Sequence, residues 1–425
     1  MFSTLRNAWK VPDIRKKMLY TVMMLLVYRV GAHVPVPGVD VAYVAGEIGR
    51  STFGQFLDLF SGGLSNFSLF ALGITPYITA SIIMNLLTMA IPALERMQKE
   101  GPEGRKKIAS ITRYAAVVLG LVQAISMLVL FGPNAILHTG TPVILNQITI
   151  VLCLTAGTAL IMWIGEHITE NGVGNGISLL IFISIISRLP GTVINLFGLA
   201  GTEGSNITYL AIMLLTVAAV AIITGITFID LGERRIPVQY AKRVIGRKIY
   251  GGQSTHIPMK INQSGVLPLI FAMTLLQFPG MIMNLINGGD KAKTAGYDAI
   301  MGEGAPLYLI LFALLIFFFT FFYSQATFNP IEVAKNMQQN GGFIPGIRAG
   351  KPTTDYLHKI LVRVTLFGAI FLALVATLPV GFSSLAGIPL GFSATSLLIM
   401  VSVALETTRQ LESHLIMRHY KGFLK

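Results

Sequence analysis

The feature that most constrains the fold is a series of long, mostly apolar stretches along the whole chain. Each is roughly 18–24 residues long, and a helix of that length crosses the ~30 Å hydrocarbon core of a membrane. Because 53% of the residues are apolar and only 12% are charged, lipid rather than a water-soluble core must accept these surfaces. The sequence therefore predicts an all-α polytopic membrane protein with ten transmembrane helices. The predicted spans lie at about 18–34, 74–91, 111–131, 147–165, 177–199, 207–229, 264–286, 306–327, 360–379 and 393–412.

The distribution of charge predicts how these spans are oriented. If the N-terminus is cytoplasmic, 27 of the 32 Lys and Arg residues fall on the inner segments and five on the outer side. With the acidic residues included, the inner face carries +15 and the outer face −2. Membrane proteins retain Lys and Arg on the cytoplasmic side, so both termini are predicted to be cytoplasmic. The net charge of +13 therefore describes that face and does not indicate a nucleic-acid-binding domain.

One outer segment, 53–72, is neither a span nor an ordinary loop. Its sequence, FGQFLDLFSGGLSNFSLFAL, is aromatic and apolar but is interrupted by Asp58, Ser65, Asn66 and a pair of glycines. Such a segment is too polar to cross lipid and too apolar for a water-exposed loop. Irregular backbone at membrane depth is stable only where protein or a water-filled cavity surrounds it, which favours a re-entrant element. An amphipathic helix at the outer interface is the alternative.

Two inner loops are long enough to form structure of their own. Residues 230–262 alternate apolar and polar side chains and contain punctuating glycines, which predicts a β-hairpin on the cytoplasmic side. In 328–359, Asn329 and Pro330 are typical of the N-cap and first position of a short helix, and an exposed basic loop follows. Basic loops usually only fix topology, and a partner-binding surface is the other interpretation.

The sequence contains no recognisable catalytic, cofactor or metal site. The glycine cluster NGVGNGIS at 171–178 lacks the βαβ context of a dinucleotide site, and only His414 and His419, in a polar tail, approach a metal-ligand spacing. The centres of the ten predicted spans lack Asp, Glu, Lys, Arg and His, whereas ion-coupled transporters usually carry such a group near the midplane. A secondary transporter of a small solute is therefore only the alternative function, and a membrane enzyme is weaker still.

Eight segments, in order along nearly the whole chain, resemble those of the SecY/Sec61α family of protein-translocation channels. They are YRVGAHVPVPGVD at 28–40, DLFSGGLSNFSLFALGITPYITASII at 58–83, KEGPEGRKKIASITRY at 99–114, MWIGEHITENGVGNGIS at 162–178, RRIPVQYAKR at 234–243, QSTHIPMKIN at 253–262, FNPIEVAKNMQQNGGFIPGIR at 328–348 and TSLLIMVSVALE at 395–406. One departure lies at 346–350, where GIRAG lacks the proline that many relatives carry after the arginine. This change leaves Arg348 in place.

The resemblance implies two pseudosymmetric halves around an hourglass pore. These would be residues 1–203, with spans one to five, and residues 204–425, with spans six to ten. The waist of the pore in this family is a ring of apolar side chains, and such a constriction holds back hydrated ions by dewetting. By motif position the ring falls here on Ile74, Ile78, Ile181, Ile185, Ile270 and Ile399.

The resemblance also assigns a plug, a gate and a docking surface. Segment 53–72 would be the re-entrant plug helix, held in the closed pore only by packing against the waist. Spans two and seven, with eight, would form the lateral gate, and Pro268 is expected to weaken span seven near its middle. The residues implied are, for the plug, Phe60, Gly62, Gly63, Leu64, Ser65, Asn66 and Phe67; for the gate, Thr79, Ser81, Asn85, Thr274 and Gln277; and for docking, Arg243, Arg247, Lys248 and Arg348.

The implied function is a passive protein-conducting channel in a bacterial plasma membrane. It would move unfolded secretory polypeptides outward and release transmembrane segments sideways into lipid. The chain itself would perform no chemistry and need no cofactor, so the SecA motor ATPase or the translating ribosome would supply the driving force. The other implied partners are SecE, SecG, the signal sequence of the translocating polypeptide and membrane lipid, without sequence-specific binding of nucleic acid.

Overall fold

The computed structural model describes residues 2–50, 61–132, 135–137, 142–199, 209–240, 243–245, 248–250, 254–286, 296–297, 300–302, 305–386 and 394–422. The described chain is mostly helical and forms two compact units. The first comprises Met1–Ile212, Thr274–Tyr308 and Val403–Lys425, and the second comprises Met213–Met273 and Leu309–Ser402. The predicted halves, 1–203 and 204–425, stay a prediction.

Among the described residues, eight helices follow one another in the N-terminal part of the first unit. Helix α6 packs along α4 and α7, and α7 also contacts α2 and α8. Helices α2, α4, α5 and α6 each begin with proline at the first or second position, where the missing N–H costs no hydrogen bond. The helices are α1 (Phe2–Lys10), α2 (Pro12–Gly31), α3 (Val41–Arg50), α4 (Thr75–Ala90), α5 (Pro92–Lys99), α6 (Pro102–Phe131), α7 (Val143–Asn171) and α8 (Gly176–Leu199).

A sharp bend separates α4 from α5. The two helix axes differ by 99° across the single residue Ile91. Proline disfavours the helical conformation in the residue before it, and Ile91, which precedes Pro92, is extended with φ −106° and ψ 113°. Pro92 therefore sets the position at which the amphipathic α5 turns away from the axis of α4.

The remaining helices and five short strands complete the described chain. The helices are α9 (Tyr209–Leu231), α10 (Leu267–Ile286), α11 (Pro306–Thr327), α12 (Pro330–Gln339), α13 (Lys351–Ala386) and α14 (Ala394–Gly422). The strands are β1 (Glu233–Tyr240), β2 (Arg243–Ile245), β3 (Lys248–Tyr250), β4 (Ser254–Lys260) and β5 (Gly342–Phe343).

The predicted hairpin in 230–262 is confirmed. Strands β1 and β4 pair antiparallel from Glu233↔Lys260 to Gln239↔Ser254, and β5 joins the other edge of β1 to give the order β4-β1-β5. A second, smaller hairpin of β2 and β3 extends from it. The inner face of the sheet packs on α12 and the start of α13 in one apolar cluster. Its buried members are Ile236, Val238, Met259, Ala334, Met337, Ile344, Leu357, Ile360 and Leu361.

The predicted start of the short helix in 328–359 is also confirmed. Helix α12 begins at Pro330, and the side chain of Asn329 accepts hydrogen bonds from the backbone N–H groups of Ile331 (3.1 Å) and Glu332 (3.4 Å). This N-cap satisfies two donors that the first turn of a helix leaves without intrahelical partners.

Each of the ten predicted spans coincides with a described helix. Within the described ranges, six helices are long and apolar enough to cross a membrane, and α4 with α5 would make a seventh. The six are α6, α7, α8 over Gly176–Ile194, α9 over Ile212–Leu231, α11 and α13 over Lys351–Val380. Helices α2, α10 and α14 coincide with the other three predicted spans, and the apolar part of α10 is shorter, Leu267–Gly280.

The expectation for Pro268 is wrong. Pro268 is the second residue of α10 and therefore lies in the first turn, where proline is tolerated. The proline inside this helix is Pro279. Pro268 also lies near the start of the predicted span, 264–286, and not near its middle.

Candidate pore and plug site

The described part of the predicted plug segment is a series of turns, residues 61–73, which we call the plug turn. Residues 53–60, including Phe60, lie outside the described residues. Gly62 (φ +66°) and Gly73 (φ +59°) occupy the left-handed region that glycine adopts without steric cost. Phe67 also has positive φ, +38°, which is unfavourable for an aromatic residue and requires support from its surroundings.

The plug turn is tied to the segment that follows α2. The N–H of Leu69 donates to the carbonyl of Val34 (2.9 Å), and the N–H of Val36 donates to the carbonyl of Phe67 (3.0 Å). Within the turn, the hydroxyl of Ser61 accepts from the N–H of Leu64 at 3.2 Å. The first two bonds hold the plug turn against the segment that follows α2, and the third lies within the turn.

Apolar packing of the plug turn differs from the expectation. Leu64 and Phe67 are buried in a cluster with side chains of α3, the C-terminal end of α6 and the first half of α7. The ring of Phe67 meets that of Phe131 edge to face, with centroids 5.8 Å apart. The waist is thus not its only apolar support, since the cluster does not include the predicted ring. The buried members are Val36, Val39, Val44, Ile48, Leu64, Phe67, Ala71, Leu72, Ala124, Met127, Phe131, Ala135, Ile136, Ile150 and Leu154.

Two glycines allow the turn to lie directly on neighbouring helices. A Cβ at Gly157 of α7 would lie 1.9 Å from the carbonyl oxygen of Leu69, so only glycine permits this approach. On α2, Gly31 leaves space for the ring of Phe70, which stacks on Tyr28 with centroids 5.6 Å apart. The plug turn therefore packs against the backbone of α2 and α7 as well as against side chains.

Polar contacts hold the plug turn to α2 and α8. The hydroxyl of Tyr28 lies 2.9 Å from the carbonyl oxygen of Ser61 and 2.7 Å from the hydroxyl of Ser184. A Cβ at Gly62 would lie 3.1 Å from the Cβ of Ser184. One turn further along α8, the guanidinium of Arg188 donates to the hydroxyl of Ser65 at 3.0 Å.

Four of the predicted ring residues lie in the first unit and two in the second. Ile181 and Ile185 are buried on α8 on either side of Ser184 in sequence, and Ile185 is its direct neighbour. Ile74 is buried at the start of α4, and Ile78 is half-buried one turn later. Ile270 on α10 and Ile399 on α14 are buried in the second unit. Their arrangement as a ring stays a prediction.

The predicted gate residues differ in exposure. Thr79 and Thr274 are buried, Ser81 and Gln277 are half-buried, and Asn85 is exposed. The hydroxyl of Thr79 has no hydrogen-bond partner among the described residues. A buried hydroxyl without a partner destabilises its surroundings.

The predicted docking residues lie on two loops. Arg243 pairs with Tyr250, and Lys248 with Ile245, in the β2–β3 hairpin. Arg247 lies outside the described residues. Arg348 is exposed, and its carbonyl accepts a hydrogen bond from the hydroxyl of Thr353 at 2.8 Å, which fixes the backbone of the loop. No group of three His, Cys, Asp or Glu residues that could hold a metal ion occurs in the part of the chain that the structure describes.

Sequence reasoning missed a polar cluster in the second unit. The carboxylate of Asp230, at the end of α9, accepts from the amide of Asn262 (2.8 Å) and from the hydroxyl of Ser402 on α14. In the sequence, Asp230 is only a charge next to the end of a predicted span, 207–229. It joins the base of the β1–β4 hairpin to the helix that carries Ile399.

Known proteins match both the sequence and this fold. The model of the SecY family matches residues 68–408. The chain belongs to the SecY family. It is 43% identical to the protein translocase subunit SecY of Streptomyces galbus over 100% of both chains. Its fold resembles the solved structure of a protein-conducting channel, with a TM-score of 0.67 and 18% identity over 94% of this chain and 92% of that one. Canine Sec61 in a ribosome–channel complex gives 0.64 and 17% over 94% and 92%.

Proposed function

We propose that the chain is the pore-forming subunit of a protein-conducting channel, with the six isoleucines as its seal and the plug turn as its stopper. One observation carries the proposal. The plug turn is buried against α8 at Ser184, directly beside Ile185 and between the two ring positions that the family motif places on this helix. A stopper has to lie against the constriction that it closes.

The channel would be passive. The SecY family is one of protein-translocation channels rather than of enzymes. Unfolded secretory polypeptides would pass outward through the ring, and transmembrane segments would leave between α4 and α10 into lipid. The excess of Lys and Arg on the inner segments supports cytoplasmic termini and a place in the bacterial plasma membrane.

The partners of the channel would bind its two loops on the cytoplasmic face. The canine Sec61 structure is part of a ribosome–channel complex, which supports the ribosome as one partner. Arg243, Arg247, Lys248 and Arg348 would dock the ribosome or SecA. SecE and SecG would complete the channel within the membrane. The proteins matched above are protein translocases and channels, and they lend no support to a transporter of small solutes.

A disulfide across the plug contact tests the proposal. Gly62→Cys and Ser184→Cys would place two Cβ atoms 3.1 Å apart, so a shift of about half an ångström brings them into the disulfide range. The background must carry Cys153→Ala, because Cys153 is the one native cysteine. Oxidation should abolish translocation of a secretory protein into membrane vesicles, and a reductant should restore it.

The reduced double-cysteine protein and each single-cysteine protein are the controls. The reduced double-cysteine protein should transport in the absence of oxidant, and each single-cysteine protein should transport with and without it. Undiminished transport through fully cross-linked protein would show that the plug turn does not close the pore.

A further inference from the structure

Two hydroxyl groups at the plug contact serve three short oxygen–oxygen contacts. The Tyr28 hydroxyl lies 2.9 Å from the carbonyl of Ser61 and 2.7 Å from the hydroxyl of Ser184, and the Ser184 hydroxyl lies 2.8 Å from the carbonyl of Leu180. Each hydroxyl has one hydrogen to donate. Only two of the three hydrogen bonds can therefore exist at once.

The two possible arrangements differ in whether the plug turn takes part. In the first, Tyr28 donates to the carbonyl of Ser61, which belongs to the plug turn, and Ser184 donates to Tyr28 or to Leu180. In the second, Tyr28 donates to Ser184 and Ser184 donates to Leu180. The second arrangement uses only α2 and α8 and satisfies both hydroxyls without the plug turn.

Burial makes this alternative important. Tyr28 is 2% exposed and Ser184 is fully buried, so neither hydroxyl can turn to water in the closed state. A buried hydroxyl left without an acceptor is costly. The Ser184–Leu180 pair removes that cost when the plug turn leaves, because Tyr28 can rotate its hydrogen from Ser61 to Ser184.

We propose that Tyr28 and Ser184 form a two-position latch for the plug turn. Tyr28 donates to Ser61 while the channel is closed and to Ser184 once the plug turn is displaced. The latch rests on the proposed role of the plug turn and adds the residues that set how readily it opens. Tyr28 donates the hydrogen bond that holds the plug turn in the closed position. Ser184 is the positioning residue, because its hydroxyl is the alternative acceptor that lowers the free-energy cost of breaking this bond.

The latch predicts opposite effects for its two members. Tyr28→Phe removes the closing bond and leaves the Ser61 carbonyl buried without a donor, so the resting channel should open more often. Ser184→Ala removes the alternative acceptor, so displacement of the plug turn strands the Tyr28 hydroxyl and the channel should open less often. One hydrogen bond changes each closed-to-open ratio about two- to tenfold.

The measurement is resting ion conductance of the complete channel in planar bilayers, together with transport of a precursor that has a weakened signal sequence. Tyr28→Phe should raise both, and Ser184→Ala should lower both. The double variant should match Tyr28→Phe, since Ser184 acts only through the Tyr28 hydroxyl. Tyr20→Phe on α2 and Ser187→Ala, whose hydroxyl donates to the Ser184 carbonyl within α8, are matched controls that should change neither.

Effects of the same sign, or additive effects in the double variant, would overturn the latch. If Tyr28→Phe fails to insert into membranes, the resting conductance of Ser184→Ala still tests the latch. An unchanged conductance in Ser184→Ala would then refute it. The Gly62–Ser184 disulfide separates the two proposals. A cross-link that blocks transport, with Tyr28→Phe and Ser184→Ala both unchanged, keeps the plug and removes the latch.

Discussion

The plug turn and the β1–β4 hairpin both come between helices in the order of the chain, but they are held in different ways. The hairpin has a continuous antiparallel ladder from Glu233↔Lys260 to Gln239↔Ser254, over an apolar cluster of its own. The plug turn has two backbone hydrogen bonds to the segment after α2, and side chains of α2 and α8 also hold it.

This difference matches the work proposed for each region. A ladder keeps its register when one bond is lost, because its neighbours hold the two strands in place. That suits a surface on which a motor or ribosome would push. Separate side-chain contacts can break and re-form one at a time, and a segment that leaves and returns can be held by only a few kcal/mol.

The largest expected effect tests whether the apolar contacts of the plug turn keep the pore closed, whereas those of the hairpin only stabilise the hairpin. Phe67→Ala removes a buried ring, a change that costs about 3–5 kcal/mol in protein cores, and leaves the unfavourable positive φ in place. Resting conductance in bilayers should therefore rise strongly. Ile236→Ala, in the hairpin cluster, costs about 2–5 kcal/mol and should speed hydrogen exchange of the β1 and β4 amides without changing conductance.

Asn66→Ala is the control for the plug turn, because Asn66 is exposed at its tip. It should behave like the parent. A resting conductance that rises equally in the Ile236 variant, or stays unchanged in the Phe67 variant, would remove the functional distinction between the two regions.

Local patterns predicted the hairpin and the positions of the ten helices. Hydropathy marks each helix, alternation of side chains marks β1, and Asn329-Pro330 marks the start of α12. The expectation for Pro268 failed, because Pro268 lies close to the start of both the predicted span and the helix, where proline is tolerated.

The contacts of the plug site could not be predicted in this way. Tyr28 and Ser184 are 156 residues apart, and Asp230 and Ser402 are 172 apart. No local periodicity records which side chains of distant helices will meet. The family motifs indicated the plug and the ring positions, whereas the hydroxyl of Tyr28 and the apolar cluster around Leu64 emerged only from the packing of α2, α3, α6, α7 and α8.

The next prediction sharpens the comparison on the side of the hairpin and its neighbouring loop. If Arg348 makes a desolvated, hydrogen-bonded ion pair with SecA or the ribosome, Arg348→Ala should weaken binding by about 2–5 kcal/mol. Lys335→Ala removes the same charge from the exposed face of α12 and should change binding little. Affinities at one fixed salt concentration distinguish the two. Equal losses would indicate general electrostatic attraction by the basic face rather than docking at Arg348.

The smallest expected effect tests whether the docking loop depends on local structure at all. Asn329→Ala removes both hydrogen bonds that cap α12 and should destabilise its first turn by about 1 kcal/mol. Asn336→Ala makes the same chemical change at an exposed position inside α12, where alanine is the better helix former, and should stabilise the helix by about half a kcal/mol. Hydrogen exchange of the amides of Ile331 and Glu332 should therefore speed up in the first variant and slow slightly in the second.

Because α12 packs on the start of α13 and on the sheet, a cap that matters to docking should also reduce the affinity for SecA or the ribosome in the Asn329 variant alone. An Asn329 variant with faster exchange and unchanged affinity would mean that the sheet and α13 hold the loop without the help of the helix cap.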